Sequence, residues 1–222
     1  MSVNLIEDRV AAFLNTLPPE VLLVAAAKTR TVAEVQAAIR AGVQIIGYNY
    51  VQEAEKMRQM VAVPVQWHMI GHLQRNKAKK AIQLFDMIET LDSLRLAEAL
   101  NRLCAESDVI LPVLVEINSG REQNKTGVFP EDVPDFVLKI SELANLKVQG
   151  LMTMGTFSPN PEDSRPYFQA TKAVFDRLTE ANIPNVEMRY LSMGMSSSYQ
   201  VALEEGANIV RIGTHLFGAR PY

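Results

Sequence analysis

Short apolar runs alternate along the chain with segments in which apolar residues recur every three or four positions. Apolar runs of this kind between turn signals are typical of buried strands, and the three-to-four spacing is typical of helices that bury one face. The pattern therefore predicts a leading helix over 3–16, followed by eight strand–helix units. The predicted strands are 21–27, 43–47, 65–70, 85–89, 112–117, 146–151, 187–191 and 208–212, and the helices that follow them are 32–41, 51–60, 74–82, 93–105, 131–143, 163–181, 197–205 and 215–218.

Strands that alternate with helices form parallel sheets, and eight such units fit a closed (β/α)8 barrel of the TIM type. An open, doubly wound sheet has the same alternation and is the alternative, because periodicity does not show closure. The chain has 222 residues and contains no linker or low-complexity segment. We therefore expect an α/β fold made of a single domain over residues 1–222.

Composition and charge narrow the class of protein. Hydrophobic residues make up 48% of the chain and charged residues 21%, which excludes a disordered or fibrous protein. The net charge of −3 provides no general basic field for nucleic acid or anionic lipid. The single cysteine, Cys104, excludes an internal disulfide and is predicted to be a core residue. The chain shows no signal-peptide pattern and no membrane-length apolar run, so we expect a cytoplasmic protein.

Candidate chemistry begins at Lys28, which follows the uncharged run 22–27 at the end of the first predicted strand. Barrel proteins place their active groups at the carboxyl ends of the strands. Apolar surroundings disfavour an ammonium ion, and a neutral lysine amine can form a Schiff base with an aldehyde. The alternative is a lysine whose stem covers apolar surface while its amine reaches water.

The seventh and eighth predicted strands lead into turns suited to a phosphate. After strand 187–191, Gly194 permits a close backbone approach, and the serines 196–198 open the next helix at its positive end. Gly213 and Thr214 form a second turn of this kind after the eighth strand. Barrels place phosphate sites in the loops after these two strands. Plain helix capping by serine is the alternative.

Arg211 lies in the eighth predicted strand on the same face as Gly213. A buried arginine requires an acceptor, which is either a ligand or a core carboxylate. The first and last strands of a closed barrel are neighbours, so Lys28 is expected to approach Arg211. An aldehyde that carries both a phosphate and a ring nitrogen would engage the lysine, the arginine and the two turns.

Two histidines of the third unit, His68 and His72, lie on either side of a predicted strand end. No acidic or thiol ligand accompanies them in sequence, so we expect no metal site and predict that His68 forms a hydrogen bond within the barrel. The next helix carries a basic cluster, which we interpret as a solvated face, with a weak phosphate or nucleic-acid contact as the alternative: Arg75, Lys77, Lys79 and Lys80.

The most specific motif is the stretch WHMIGHLQRNK at 67–77. Further stretches that carry a resemblance are 27–29, 49–53, 118–127 (N-x-x-x-E-x-x-K-x-G), 150–154, 192–196, 210–214 and 217–220. Along nearly its whole length the chain thus resembles the pyridoxal phosphate homeostasis protein family, whose barrel is similar to the N-terminal barrel of alanine racemase. Two positions differ from the usual family pattern, because Tyr48 and Ser198 stand where the family commonly has acidic residues.

The resemblance implies a carrier or regulator of pyridoxal 5′-phosphate that affects amino-acid and keto-acid balance, without robust catalytic activity. It makes cofactor-dependent apoenzymes the candidate recipients. It also implies a role for each candidate residue: a Schiff base with the cofactor at Lys28, a contact with the pyridine nitrogen from Arg211, phosphate binding by Ser196, Gly213 and Thr214, and a pocket lining that includes Asn49.

Three functional hypotheses remain open from the sequence. The first is a non-catalytic carrier, for which we expect a monomer. The second is an amino-acid racemase with the same cofactor. Alanine racemase takes one of its two bases from a second, β-rich domain across a dimer, and this sequence ends at Tyr222 directly after the predicted barrel. The third is a class I aldolase, in which the lysine would form its Schiff base with substrate.

Overall fold

A computed structural model describes residues 3–156 and 158–219, so Arg220, in the last of the resembling stretches, lies outside the described residues. Eight parallel strands close into one barrel in chain order, with β8 paired to β1. The predicted closed barrel is therefore confirmed, and the open sheet is excluded. The strands are β1 Leu22–Ala26, β2 Ile45–Tyr48, β3 Gln66–Met69, β4 Met87–Leu91, β5 Leu111–Glu116, β6 Leu146–Met152, β7 Val186–Ser192 and β8 Ile209–Ile212.

The predicted leading helix and the helix after each strand are all present. They are α1 Val3–Leu14, α2 Val32–Arg40, α3 Val51–Met60, α4 Ala78–Leu84, α5 Leu94–Glu106, α6 Val133–Ser141, α7 Arg165–Ala181, α8 Tyr199–Glu204 and α9 Thr214–Phe217. Short 3₁₀ turns over Arg75–Lys77 and Pro161–Ser164 lead into α4 and α7. Most boundaries differ from prediction by one or two residues. For example, β4 starts at Met87 rather than at 85, because the Phe85 amide still donates to Ala81 O of α4.

A capping box fixes the start of α2, directly after the turn that contains Lys28. The Thr31 hydroxyl accepts from the Glu34 amide at 3.3 Å, and the Glu34 carboxylate accepts from the Thr31 amide at 2.8 Å. Each side chain satisfies an amide that the first helical turn leaves without a partner. The predicted N-cap at Thr31 is thus confirmed.

Apolar side chains form two layers on either side of the strands. The outer layer packs the strands against the helices and contains the buried Cys104, as predicted. The inner layer fills part of the barrel with Val24, Ile45, Ile70, Met87, Leu114, Met152 and Ile209. The rest of the interior holds buried polar groups, which belong to the candidate site. Within the described ranges, no helix combines the length and apolar composition needed to cross a membrane.

Candidate functional site

Lys28 lies two residues after the end of β1 and is partly buried. Leu22, Val24 and Ala26 of this strand pack against the inner layer, so the two-residue alternation carries Lys28 toward the barrel mouth. The chain then turns sharply at Thr29, whose φ is +65° and whose amide donates to Glu53 Oε2 at 3.2 Å. This contact from α3 helps to hold the turn that carries the lysine.

Arg211 lies on β8, where its backbone is in register with Val24 of β1. The guanidinium is buried: its Nη1 donates to Ser192 Oγ at 2.6 Å, and its Nη2 donates to Thr153 O at 2.8 Å. Nη1 also lies 4.0 Å from a carboxylate oxygen of Glu89. The sequence left open whether Arg211 meets a ligand or a core carboxylate, and the structure places the carboxylate of Glu89 beside it. Because β1 and β8 are paired, it also brings the strand of Arg211 next to the strand that leads to Lys28.

The two predicted phosphate-facing turns meet directly. The Gly213 amide donates to Ser196 Oγ at 3.2 Å, and Thr214 is exposed at the start of α9. Gly194 has a φ of +89°, and an added Cβ would lie 2.9 Å from Tyr199 Cα, so glycine is required there. Ser198 caps the same loop, since its hydroxyl accepts from the Met195 amide at 3.3 Å.

Asn49 directly follows β2, whose Gly47 is in register with Ala26 of β1. An added Cβ on Gly71 would lie 2.5 Å from Asn49 O, so the two loops after β2 and β3 can pack this closely only because residue 71 is glycine. A cavity of about 330 Å³ opens beside Asn49. The candidate residues therefore lie at or just after the ends of four consecutive strands. Ser196 follows β7, the Arg211–Thr214 segment ends β8, Lys28 follows β1 and Asn49 follows β2.

A buried carboxylate on β4 connects this group to the other side of the barrel. Glu89 Oε1 lies 2.7 Å from His68 Nδ1, and Glu89 Oε2 accepts from Ser192 Oγ at 2.6 Å. Burial by itself would raise the pKa of Glu89, but the contacts with His68, Arg211 and Ser192 outweigh it and hold that pKa below its ordinary value. The predicted hydrogen bond of His68 is confirmed. Sequence reasoning missed Glu89, although a glutamate inside an apolar strand was a usable signal.

A second buried carboxylate, Glu116, ends β5 and was also missed. Its side chain is almost inaccessible, and Oε1 accepts from the Thr126 hydroxyl at 3.1 Å. Its Oε2 atom is buried without a hydrogen-bond partner among the described residues. Burial raises the pKa of Glu116, and the nearby charge of Asp92 adds to that effect, while Arg211 opposes it. The pKa values of these two buried glutamates are thus shifted in opposite directions from the ordinary value.

The remaining charged groups of this end of the barrel are structural or solvated. His72 Nδ1 lies 3.0 Å from Asp92 Oδ2, and no group of three or more potential metal ligands occurs in the described part of the chain. In the basic cluster, Arg75, Lys79 and Lys80 are exposed, as a solvated face requires, whereas Lys77 is partly buried and lines the cavity beside Asn49. Lys80 pairs with Glu55 of the neighbouring helix at 2.5 Å.

Two further residues, Tyr48 and Arg30, lie beside the turn that contains Lys28. Tyr48 lies buried against Trp67, with ring centroids 5.8 Å apart, and its hydroxyl has no partner within residues 3–156 and 158–219. Burial and the charge of Glu53 raise the pKa of Tyr48. The missed Arg30 is buried, donates from Nη2 to Gly218 O at 2.6 Å, and lies over the Phe217 ring. It thereby ties the end of α9 to the turn after Lys28.

Comparisons with known proteins show the family to which this chain belongs. The family model described as "Alanine racemase, N-terminal domain" matches residues 2–221. The chain is similar to a pyridoxal phosphate homeostasis protein of Aquifex aeolicus (strain VF5), with 40% identity over 201 residues that cover 90% of this chain and 87% of that protein.

Solved structures show the same relationship. PipY of Synechococcus elongatus PCC7942, solved with PLP bound, is 32% identical with a TM-score of 0.88, covering 96% of this chain and 100% of that one. An alanine racemase of Clostridium difficile 630 is 17% identical with a TM-score of 0.79, and the match covers 99% of this chain but 57% of the racemase chain. That likeness shows a shared fold. The chain belongs to the alanine racemase N-terminal domain family and, within it, to the pyridoxal phosphate homeostasis proteins.

Proposed function

We propose that this chain is a non-catalytic pyridoxal 5′-phosphate-binding protein that takes part in intracellular homeostasis of the cofactor, with residues 1–222 acting as one barrel domain. The observation that carries the proposal is that the turn with Lys28, the Arg211 strand and the Ser196–Gly213 contact lie at the ends of three consecutive strands, β7, β8 and β1. The bound PLP in the Synechococcus relative supports the same ligand for this chain.

The donors at these strand ends fit the three functional groups of the cofactor. Its aldehyde supplies the carbon with which a lysine amine forms a reversible C=N bond, and in this proposal Lys28 is that lysine. The Ser196 hydroxyl and the Gly213 amide already lie 3.2 Å apart, and the exposed Thr214 hydroxyl follows directly. The Ser196 and Thr214 hydroxyls can each donate a hydrogen bond to a phosphate, and the Gly213 amide can do so by exchanging its bond to Ser196 Oγ.

Arg211 is held in place for a role at the pyridine nitrogen. Ser192 and Thr153 accept two of its five N–H donors, as far as the described residues show, and the others can be directed at a ligand. A guanidinium does not give up its proton, so a ring nitrogen that accepts from it stays unprotonated and withdraws fewer electrons. Asn49 lies at the end of the neighbouring strand β2 and lines a cavity there. This arrangement favours holding the cofactor over turning over an amino acid.

A reversible covalent bond combined with a phosphate anchor permits tight but exchangeable binding. We therefore propose that the protein buffers or delivers the cofactor to cofactor-dependent apoenzymes, as a cytoplasmic monomer without a nucleic-acid or membrane partner. A competition assay tests delivery: the loaded protein should restore activity to such an apoenzyme at a rate that depends on the concentration of the acceptor.

The cofactor site is tested by the absorbance spectrum of the protein with added pyridoxal 5′-phosphate, followed by borohydride reduction and peptide mass mapping. We expect a visible imine band and a reduced adduct on Lys28. The Lys28→Ala variant should lose both, whereas Lys79→Ala, an exposed lysine on α4, should keep them. A label spread over surface lysines, or no band, would contradict the proposed site.

A racemisation assay with several amino acids separates holding from catalysis. We expect no turnover above the rate of the free cofactor. Sustained turnover in the parent protein that disappears in Lys28→Ala would overturn the non-catalytic assignment and favour a racemase-like enzyme.

A further inference from the structure

A second cavity lies on the β5–β6 side of the barrel mouth, and none of the residues assigned to the cofactor lines it. It measures about 260 Å³ and is bordered by the end of β5, the polar loop that follows it and residues 153–155. This volume is far above the roughly 10–15 Å³ that one water molecule requires. The cavity therefore has room for a small organic molecule.

Glu116 is the buried acceptor of this cavity. A carboxylate can accept about four hydrogen bonds, and this one receives a single bond, from the Thr126 hydroxyl. Its second oxygen is inaccessible and has no partner in the described part of the chain. Buried polar atoms in proteins are nearly always satisfied, so this atom indicates a missing donor.

The charged neighbours of Glu116 are engaged elsewhere. Arg211 binds Ser192 and lies beside Glu89, and His72 pairs with Asp92. At the rim of the cavity, Lys125 pairs with Glu122 at 2.5 Å. No ion pair among residues 3–156 and 158–219 includes Glu116. Within the described ranges, Glu116 is thus the carboxyl group of this cavity that forms no ion pair.

The chemistry of the lining restricts the class of ligand. An anion would meet the carboxylate of Glu116, and a metal ion would find too few ligands, because the described residues contain no group of three potential metal ligands. A neutral alcohol could donate one hydrogen bond but would leave the charge unbalanced. A primary ammonium group supplies both a donor and a positive charge.

We propose that the Glu116 cavity is a binding site for a small primary amine or amino alcohol, whose ammonium group donates to Glu116 once the carboxylate turns Oε2 toward the cavity. Thr126 holds the other oxygen and orients the carboxylate. The site does not depend on Lys28, so this proposal goes beyond the proposed cofactor function, and each can fail without the other.

Titration of ¹⁵N-labelled protein with ethanolamine tests the site, with ethylene glycol as the uncharged compound of similar shape. Bound carbonyl compounds are first removed by dialysis against hydroxylamine and then buffer. We expect saturable shifts of amides in the 117–126 loop with ethanolamine and none with ethylene glycol. Glu116→Gln should weaken binding at least about tenfold, whereas Glu122→Gln, which changes the paired rim carboxylate, should stay within roughly twofold.

A second readout uses the parent protein alone. The ¹³Cδ resonance of Glu116 reports its pKa, and bound ethanolamine should lower that pKa because the ammonium favours the charged carboxylate. Equal shifts with ethylene glycol, equal affinity in Glu116→Gln, or no change of either signal up to roughly 0.1 M ethanolamine would overturn the proposal. Any of these results would mean that Glu116 does not bind an ammonium group in this cavity.

Discussion

Glu89 and Glu116 lie on neighbouring strands of one barrel, β4 and β5, and both are almost inaccessible to solvent. Glu89 has His68, Ser192 and Arg211 around its two oxygens, and its pKa is lowered. Among the described residues, the Thr126 hydroxyl is the one side-chain donor to Glu116, and the pKa of Glu116 is raised. The two glutamates are buried to a similar degree, and they differ in the hydrogen-bond donors and charges that surround them.

The comparison shows that burial does not by itself predict the behaviour of a carboxylate. Desolvation favours the neutral acid at both positions, but only Glu89 has enough donors and positive charge to reverse it. The satisfied region holds Arg211 in place beside the proposed cofactor site. The unsatisfied region is where a ligand donor is expected. Four predictions, from the largest expected effect to the smallest, test this division.

Glu89→Gln should lower the free energy of unfolding by roughly 3–5 kcal/mol, because it leaves the buried Arg211 charge without its carboxylate. Urea denaturation followed by circular dichroism at pH 7 measures the change. The same substitution at position 116 is the matched control and should not destabilise the fold. Similar losses in both variants would show that the two regions do not differ in the way described.

At pH 8 the free energy of unfolding of Glu116→Gln should exceed that of the parent protein by about 1–2 kcal/mol, because the parent carries a poorly satisfied carboxylate. This difference should disappear near pH 4. The sign follows from linkage: the native state of the parent binds this proton at a higher pH than the unfolded chain, so stability falls as the pH rises above about 4.5.

The pH dependence of stability that Glu89 contributes has the opposite sign, because its stabilising contribution is lost as the pH falls below its unfolded pKa. Denaturation midpoints of the parent and the Glu116→Gln variant between pH 4 and pH 8 measure the difference. Parallel pH profiles for the two proteins would contradict the raised pKa of Glu116.

Tyr48→Phe extends the comparison to a neutral group, because the Tyr48 hydroxyl is buried without a partner in the described residues. Removing it while keeping the ring against Trp67 should stabilise the fold by about 1 kcal/mol, or roughly 2–4 °C in the melting temperature. Tyr50→Phe, at an exposed ring, should change little. A loss of stability in Tyr48→Phe would reveal a bound water at the hydroxyl.

Glu7→Gln provides the exposed reference for both buried glutamates. Glu7 pairs with Arg40 at 2.7 Å on the surface, where solvent and salt screen the interaction. The substitution should lower the free energy of unfolding by about 0.2–0.5 kcal/mol, and this loss should vanish in 1 M salt. A loss comparable to that of Glu89→Gln would mean that burial does not set the scale of these effects.

Much of the fold could be predicted from the sequence because hydrophobic periodicity is a local property. The strand–helix alternation, the Thr31 cap and the buried Cys104 are examples. Boundaries were less certain, since Phe85 is apolar enough for a strand but still bonds to α4. At the site, the positions of Lys28, Arg211 and the two glycine-containing turns followed from strand ends, which local patterns also mark.

The polar interior could not be predicted in this way. Glu89 and Ser192 are 103 residues apart in sequence, and their contact depends on the closure and stagger of the barrel. The clamp from Arg30 to Gly218 spans 188 residues and depends on the docking of α9. Periodicity shows which face of a strand is buried but does not show which side chain it meets there.

By itself, the sequence determined the order of the elements, the strand ends at which Lys28, Asn49, Ser196, Arg211, Gly213 and Thr214 lie, and the resemblance to one family. Tertiary structure alone decided that Arg211 shares its surroundings with Glu89 and that Glu116 Oε2 has no donor among the described residues. The physical reason is that a strand's alternation depends on its own residues. The partners of a buried charge depend instead on the register of neighbouring strands and on loops that come from distant parts of the chain.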